Sequence, residues 1–189
     1  MAALPPEECA ALAGRAAALV DVAALPPDAS AVLWEDEDSV AWLEVSSRRR
    51  DTGFHDHDGS AVGVHVITGD VTNEGLPVGG ARRVRRYAAG DSFSFPGTGI
   101  HRMAHEAGAV TVHVYSPPLR AIGYYEIVDG LLQRTPGPPD EPSPESPRLL
   151  AAVGGEDPGQ LDPDAAPVGA DPLGDLRHGG GEVVQPLVH

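Results

Sequence analysis

The chain has no lysine. All 13 of its basic residues are arginine, set against 28 carboxylates, which gives a formal net charge of −15. An acidic excess of that size excludes the electrostatic footprint of nucleic-acid binders and of proteins that lie on anionic membranes. The missing lysine reads as coding bias and carries no chemistry of its own. Cysteine is nearly absent too: a single Cys9 rules out a disulfide framework and suits a reducing compartment, so a cytoplasmic location is expected. No apolar run approaches the ~20 residues of a membrane-spanning helix. The opening Met1-Ala-Ala-Leu-Pro-Pro-Glu-Glu8 lacks the basic start of a secretory signal.

At 189 residues the chain reads as one domain with appendages. Residues 1–30 form an N-terminal helical segment. Pro6 to Leu25 is rich in alanine and leucine, with proline at the start and Glu7 and Glu8 in the opening turn, the pattern of an amphipathic helix that packs against the domain. Residues 31–134 are the core domain, in which short β-branched runs are broken by turn signals at Asp58-Gly59, Val78-Gly-Gly80 and Ala89-Gly-Asp91. Val62-Gly-Val-His-Val-Ile67 and Gly108-Ala-Val-Thr-Val-His-Val-Tyr115 are buried-strand patterns. Regular strand-turn spacing of this kind predicts an all-β, double-sheet jelly roll. Arg82-Arg-Val-Arg-Arg86 falls on a further strand, where an arginine-covered outer face is expected. Residues 135–189 are an acidic, Pro/Gly-rich C-terminal extension with 11 of the 19 prolines, ten acidic residues and two basic ones. That composition predicts little stable structure, although Leu149–Val153 and Val183–Val188 could each form a short element that packs back.

Two histidines flank one aspartate in His55-Asp56-His57, and a third, His101, stands 44 residues after His57. Alternate residues of a strand share a face, so His55 and His57 present their imidazoles together, and a distant strand supplies His101. A bland account, a chance pair of exposed strand histidines, exists for the first two alone. Imidazole suits Fe, Ni, Cu and Zn, so the ligands do not name the metal. His65 shares a strand face with Gly63 and Ile67, and His105 follows His101 by four residues; either could be a core group or stand behind the metal ligands. His178 and His189 fall in the extension and are given no metal role.

The spacing of these histidines resembles the bipartite motif of the cupins, with Val62 where most cupins place a glutamate. More specifically, His55-Asp-His57, Gly69, Gly99-Ile-His-Arg102 and His113-Val-Tyr-Ser-Pro-Pro118 resemble the cysteine dioxygenases and related thiol dioxygenases. The resemblance covers roughly Val40 to Gly130. It implies a cupin barrel holding Fe(II) on His55, His57 and His101, with a small-molecule thiol and O2 as reactants and a sulfinate as product. It also implies catalytic roles for Tyr115, His113 and Thr111, which alternate along one strand, and a cis bond at Ser116-Pro117. Mammalian members carry a cysteine, crosslinked to the tyrosine, at the position of Val62; with Cys9 the only cysteine, no such crosslink forms here.

The carboxylate-binding arginine that the family carries upstream of the first histidine is missing, since Ala31-Val-Leu-Trp-Glu-Asp-Glu-Asp38 contains none. Arg48-Arg49-Arg50 reads as a solvated turn, and Arg120 is a second candidate carboxylate partner. Trp42 and Glu44 alternate on the strand Ser39–Ser46, and in the family register their face looks into the cavity. An aromatic ring and a carboxylate suit a cation, which points to a thiol with a cationic head, such as a thiohistidine betaine like ergothioneine, alongside a cysteine-like one. The plain alternative puts Trp42 in the core and Glu44 on the surface. Two other functions stay open: a cupin metalloenzyme of different chemistry, such as a carbon dioxygenase or an isomerase, and a non-catalytic small-molecule-binding cupin. A monomer is expected, with no nucleic-acid or membrane partner.

Overall fold

A computed structural model describes residues 3–77, 81–136 and 183–185. In chain order its helix α1 is Pro6–Ala17, and its strands open with β1 Ser30–Glu35, β2 Val40–Ser46, β3 Arg50–Asp51, β4 Phe54–Asp56 and β5 Ala61–Thr68. They continue with β6 Asp70–Leu76, β7 Arg82–Ala88, β8 Ser92–Phe95, β9 Ile100–His105 and β10 Ala109–Ser116. Last come β11 Gly123–Val128, β12 Leu131–Thr135 and β13 Val183–Gln185. One sheet runs β1-β2-β10-β5-β8 and the other β12-β11-β4-β9-β6-β7-β13, with β3 paired to β9. Every strand pair is antiparallel. The architecture is an all-β jelly roll of two antiparallel sheets with a helix laid on the five-stranded one.

Strand β10 is buried along its whole length, and alternation divides its eight side chains between two interiors. Val110, Val112 and Val114 pack with Cys9, Ala13, Ala16 and Ala17 of α1. The other face carries Thr111, His113 and Tyr115, and Tyr115 joins Val32, Val62, Val64, Phe93 and Met103 between the sheets. A strand covered on both sides must be apolar outward and satisfy its own polar groups inward.

The buried face of α1 is built from small side chains because the helix comes very close to the sheet. A β-carbon added at Gly63 would lie 1.9 Å from the backbone nitrogen of Ala10, so only glycine fits there. Proline at the helix start, Glu7 and Glu8 in the first turn and Arg15 in the last match the helix dipole. The helix is shorter than its composition suggests. It ends at Ala17, and Val22–Ala24 form a separate 3₁₀ turn in which the Asp21 carboxylate accepts from the Ala23 N–H at 3.1 Å. A side chain that bonds its own backbone in this way competes with helix continuation. Burial pushes the Cys9 thiol up to about 11, so this cysteine is a packing group and no nucleophile.

The Ser116–Pro117 bond is cis. Ser116 Oγ donates to the Asp38 carbonyl at 2.6 Å and accepts from the Leu4 N–H at 2.8 Å, tying the chain before α1 to the barrel. Two arginines of β7 are engaged by acids of β6: Arg82 with Glu74, and Arg86 with Asp70 at 3.0 Å. Strand β13 pairs with β7 in the register Val183↔Val84 to Gln185↔Arg82. Leu149–Val153, His178, His189 and the turn Val78–Gly80 lie outside the described residues. No helix among the described residues is long and apolar enough to cross a membrane.

Gly63→Ala would drive a methyl group into the helix backbone. Overpacking of this kind costs typically about 1–3 kcal/mol, so the urea midpoint should fall by a corresponding amount with the slope unchanged. An unaltered midpoint would show that α1 is not seated on the sheet in this way.

Candidate metal centre

Strand β4 lies between β11 and β9, and its one pairing with β9 sets His55 directly opposite His101. His57 follows two residues later on the same face, while Asp56 points the other way. There Asp56 accepts the Tyr125 O–H at 2.5 Å and the Asp58 N–H at 3.1 Å, so it braces the strand and stays out of the cavity. One ring nitrogen from each of His55, His57 and His101 lies within 4.8 Å of the others. All three side chains are buried, and ring centroids are separated by 5.0, 4.4 and 5.1 Å.

Second partners fix which nitrogen faces inward. His55 donates from Nδ1 to the Gly53 carbonyl at 3.0 Å, and His101 donates from Nδ1 to the Asn73 side-chain oxygen at 2.6 Å. Each leaves Nε2 as a lone-pair donor, the arrangement by which protein groups orient metal-binding imidazoles. His101 Nε2 and His57 Nδ1 are buried with no hydrogen-bond partner among the described residues. Buried polar atoms without partners are rare, and a metal ion at the centre of the three rings would satisfy His101 Nε2. Burial, with the neighbouring His55 adding to it, pushes His57 and His101 well below the usual histidine range. Neutral imidazoles are what metal binding requires. The residues therefore fit a metal. Val62, fully buried and opposite Tyr115 in the β5–β10 register, adds no carboxylate to the set.

The facing wall of the cavity carries a chain of polar groups. Tyr115 Oη lies 3.4 Å from His113 Nδ1, and Thr111 Oγ1 lies 2.9 Å from His113 Nε2 and 3.4 Å from His105 Nε2. The Tyr115 ring sits 5.0 Å from that of His57. Burial pushes His113 down to about 4, against the opposing pull of Glu44. Burial also opposes the charge of Glu44, but positive charge beside it, that of Arg50 included, leaves the carboxylate below its ordinary range. Glu44 Oε2 and the Arg50 guanidinium form an ion pair at 3.6 Å.

Trp42 and Glu44 both line the cavity. Trp42 is buried and meets Tyr115 edge-on at 5.9 Å, and its indole N–H has no partner among the described residues. Arg120 is elsewhere. It pairs with Glu35 at 2.9 Å on the surface, its side chain 71% exposed, away from the residues that line the cavity. Arg50, by contrast, is at the cavity. Expected in a solvated turn, it instead lines the cavity, because β3 pairs with β9 in the register Arg50↔His105 and turns the side chain inward. His65 lies on the helix side of β5, where Nδ1 meets Ser92 Oγ at 2.8 Å under Gly14, and takes no part in the site. His105 lines the cavity. Asn73, the partner of His101, is a residue of the candidate site that no motif or spacing reveals. Its one signal in the sequence is a carboxamide in mid-strand, where such residues are poor formers unless the side chain has a partner.

No family model matches the sequence, and no curated protein matches it. Among solved structures the chain is similar to KdgF from Halomonas sp., at 21% identity and a TM-score of 0.41, over 47% of this chain and 76% of that one. An RmlC-like cupin protein from Desulfovibrio desulfuricans matches at 16% and 0.44, over 52% and 93%. Oxalate decarboxylase from Bacillus subtilis matches at 21% and 0.40, over 43% of this chain and 22% of that one, so the likeness spans about a fifth of that protein's length. These values add nothing to the fold already described.

Asn73→Ala should weaken binding of a divalent metal, measured by titration calorimetry, by roughly 10–100-fold, the usual effect of losing a group that orients a ligand; undiminished affinity would show the bond to His101 to be incidental. A pH dependence follows from the buried imidazoles. Their folded-state pKa values are depressed, so the unfolded chain takes up protons first as pH falls. Metal-free protein should hold its stability above about pH 6.5, the ordinary histidine value, and lose it down to about 4, where His113 itself titrates. Denaturant midpoints that stay flat over that interval would contradict burial of these rings in the neutral form.

Proposed function

We propose that the chain is a cupin metalloenzyme that holds Fe(II) on His55, His57 and His101 and adds both atoms of dioxygen to the sulfur of a small thiol, giving a sulfinate. The observation that carries this reading is the pairing of two features in one buried cavity. One is a three-histidine cluster with no carboxylate, and the other is a Thr111–His113–Tyr115 chain that ends beside His57. The metal would supply a Lewis acid that lowers the thiol's pKa and a coordination sphere in which both reactants meet. A wholly neutral ligand set leaves the charge of the ion to be balanced by an anionic substrate sulfur.

The chain's own groups do the rest. Tyr115 stands next to the ligand cluster and, with His113 behind it, holds a proton at the phenolic oxygen for the reactant nearest it. Phe95, Met103, Val62 and Ile122 supply the apolar lining that keeps water from the reacting atoms. At the other end of the cavity Arg50 and Glu44 offer one charge of each sign. That pair suits a zwitterionic head, with the carboxylate taken by Arg50 and the ammonium by Glu44. A cysteine-like thiol and a thiohistidine betaine both fit, and the second would also use the face of Trp42.

A second reading has its own support. Arg50 and the unpartnered indole N–H of Trp42 can receive a carboxylate whether or not sulfur is present. A cupin metalloenzyme acting on the carbon of a small acid would present the same two donors. Oxygen uptake by iron-loaded protein, measured against cysteine, cysteamine, 3-mercaptopropionate and ergothioneine, separates the two. Sulfinate from any of these supports thiol dioxygenation. No uptake with the whole panel, from protein that retains its iron, sinks it in favour of the second reading.

Substitutions test the parts. His55→Ala should remove most bound iron and all oxygen uptake, and full iron content would defeat the ligand assignment. Tyr115→Phe should keep the iron and slow turnover by about 10²–10⁴-fold, the range for loss of a positioned proton donor; an unchanged rate at saturating thiol would reduce the ring to packing. Glu44→Gln should raise KM for a zwitterionic thiol more than for 3-mercaptopropionate, by the equivalent of about 1–3 kcal/mol, the range for a hydrogen bond involving a charged group. Equal effects on both substrates would remove Glu44 from substrate binding.

A further inference from the structure

Two of the three clustered histidines are oriented through their rings, His55 by the Gly53 carbonyl and His101 by Asn73. His57 has no counterpart to these bonds. Its Nδ1 is buried without a partner among the described residues. Phe95 at 5.5 Å and Tyr115 at 5.0 Å pack against the ring without fixing where its backbone sits.

The sheet does not hold that backbone either. Strand β4 ends at Asp56, so His57 lies past the last residue that pairs with β11 and past the single pair with β9. The chain then turns at once through Asp58 and Gly59, both left-handed, with φ of +50° and +93°. One backbone bond closes this turn, from the Ser60 N–H to the His57 carbonyl at 3.0 Å.

What spans His57 is the side chain before it. Asp56 accepts the Asp58 N–H at 3.1 Å and so bridges from one side of the histidine to the other, as an aspartate does when it bonds the backbone two residues on. The carboxylate is itself held from a different strand. Tyr125 of β11 donates its O–H at 2.5 Å, the Gly123 N–H donates as well, and the Arg134 guanidinium stands nearby. The fit is close. A β-carbon at Gly123 would lie 2.9 and 3.0 Å from the two carboxylate oxygens and 3.1 Å from Arg134 Nη2, so glycine is required there.

We propose that Asp56 is a positioning residue of the metal centre: from the outer side of β4 it fixes His57 relative to β11, as Asn73 fixes His101 from within the sheet. A ligand whose ring lacks a second partner is held instead through the chain on either side of it. Without that hold, ordering His57 would be charged to metal binding as lost conformational freedom. This rests on reading the three histidines as metal ligands and is independent of the reaction carried out there.

The test is zinc titration calorimetry on full-length protein stripped of metal. Asp56→Ala should weaken zinc binding by roughly 10–100-fold, the usual effect of losing a group that orients a ligand. Asp56→Asn keeps an oxygen that can accept the Asp58 N–H and should recover most of that loss. A double-mutant cycle makes the comparison specific. In the His57→Ala background Asp56→Ala should cost no further affinity, because the ligand it positions is already gone, whereas Asn73→Ala, acting through His101, should still weaken binding. Equal losses from Asp56→Ala in both backgrounds would overturn the proposal and leave the carboxylate a brace of the fold. Wild-type affinity in Asp56→Ala would overturn it too. Tyr125→Phe removes a single donor to the carboxylate and serves if Asp56→Ala does not fold. It should weaken zinc several-fold and only while His57 is present, and undiminished affinity again defeats the idea. Wild-type protein that binds no zinc sinks the metal centre, and this role with it. Zinc held by wild type, lost in His55→Ala and unaffected by Asp56→Ala, sinks this role alone.

Discussion

The burial of β10 on both faces is the constraint on which the rest of this protein depends. Its outward valines meet a helix that approaches closely enough to require glycine at position 63. With water excluded from that side, the strand cannot shift or fray. Its inward residues are then held in fixed register against Val40, Trp42 and Glu44 on one neighbour and against Val62 and Val64 on the other. A threonine, a histidine and a tyrosine in such a position must find partners among themselves, and they do. The same packing that stabilises the fold therefore orders the polar chain.

The ligand cluster depends on the opposite sheet in a comparable way. The single pairing of His55 with His101 brings together residues far apart in the chain, and Gly53 and Asn73 settle which nitrogens look inward. Neither wall of the cavity makes a site alone. Facing each other, they place neutral nitrogen donors on one side and a proton-bearing chain on the other, with an Arg50–Glu44 pair at the end. Desolvation helps both halves: it keeps the imidazoles unprotonated for a metal and makes the direction of each hydrogen bond consequential.

Much of this is legible in the amino-acid sequence. The alternation in Val110–Tyr115 reports a strand buried on two sides, and the same period puts His55 with His57, Trp42 with Glu44, and Thr111 with His113 and Tyr115. Glycine and proline mark the turns. What is not legible has one main cause. Nearness in sequence to a motif says nothing of which way a side chain turns once its strand pairs with another: Arg50, read as part of a solvated turn, lines the cavity, and Arg120, offered as a candidate carboxylate partner, lies on the surface beside Glu35. The helix differs for a local reason: composition favours it through Leu25, whereas the Asp21 side chain bonds the nearby backbone and begins a different turn.

The sequence by itself determined the fold class and the three-histidine cluster, because strand periodicity and the spacing of a bipartite motif are local properties that survive in one dimension. Only the tertiary structure decided that Arg50 supplies the cavity's guanidinium, that Asn73 orients His101, and that His105 completes the chain begun by Tyr115. Each of those depends on pairing across a sheet between strands remote in the chain, and a hydrogen bond or ion pair acts through distance and direction that no local pattern encodes.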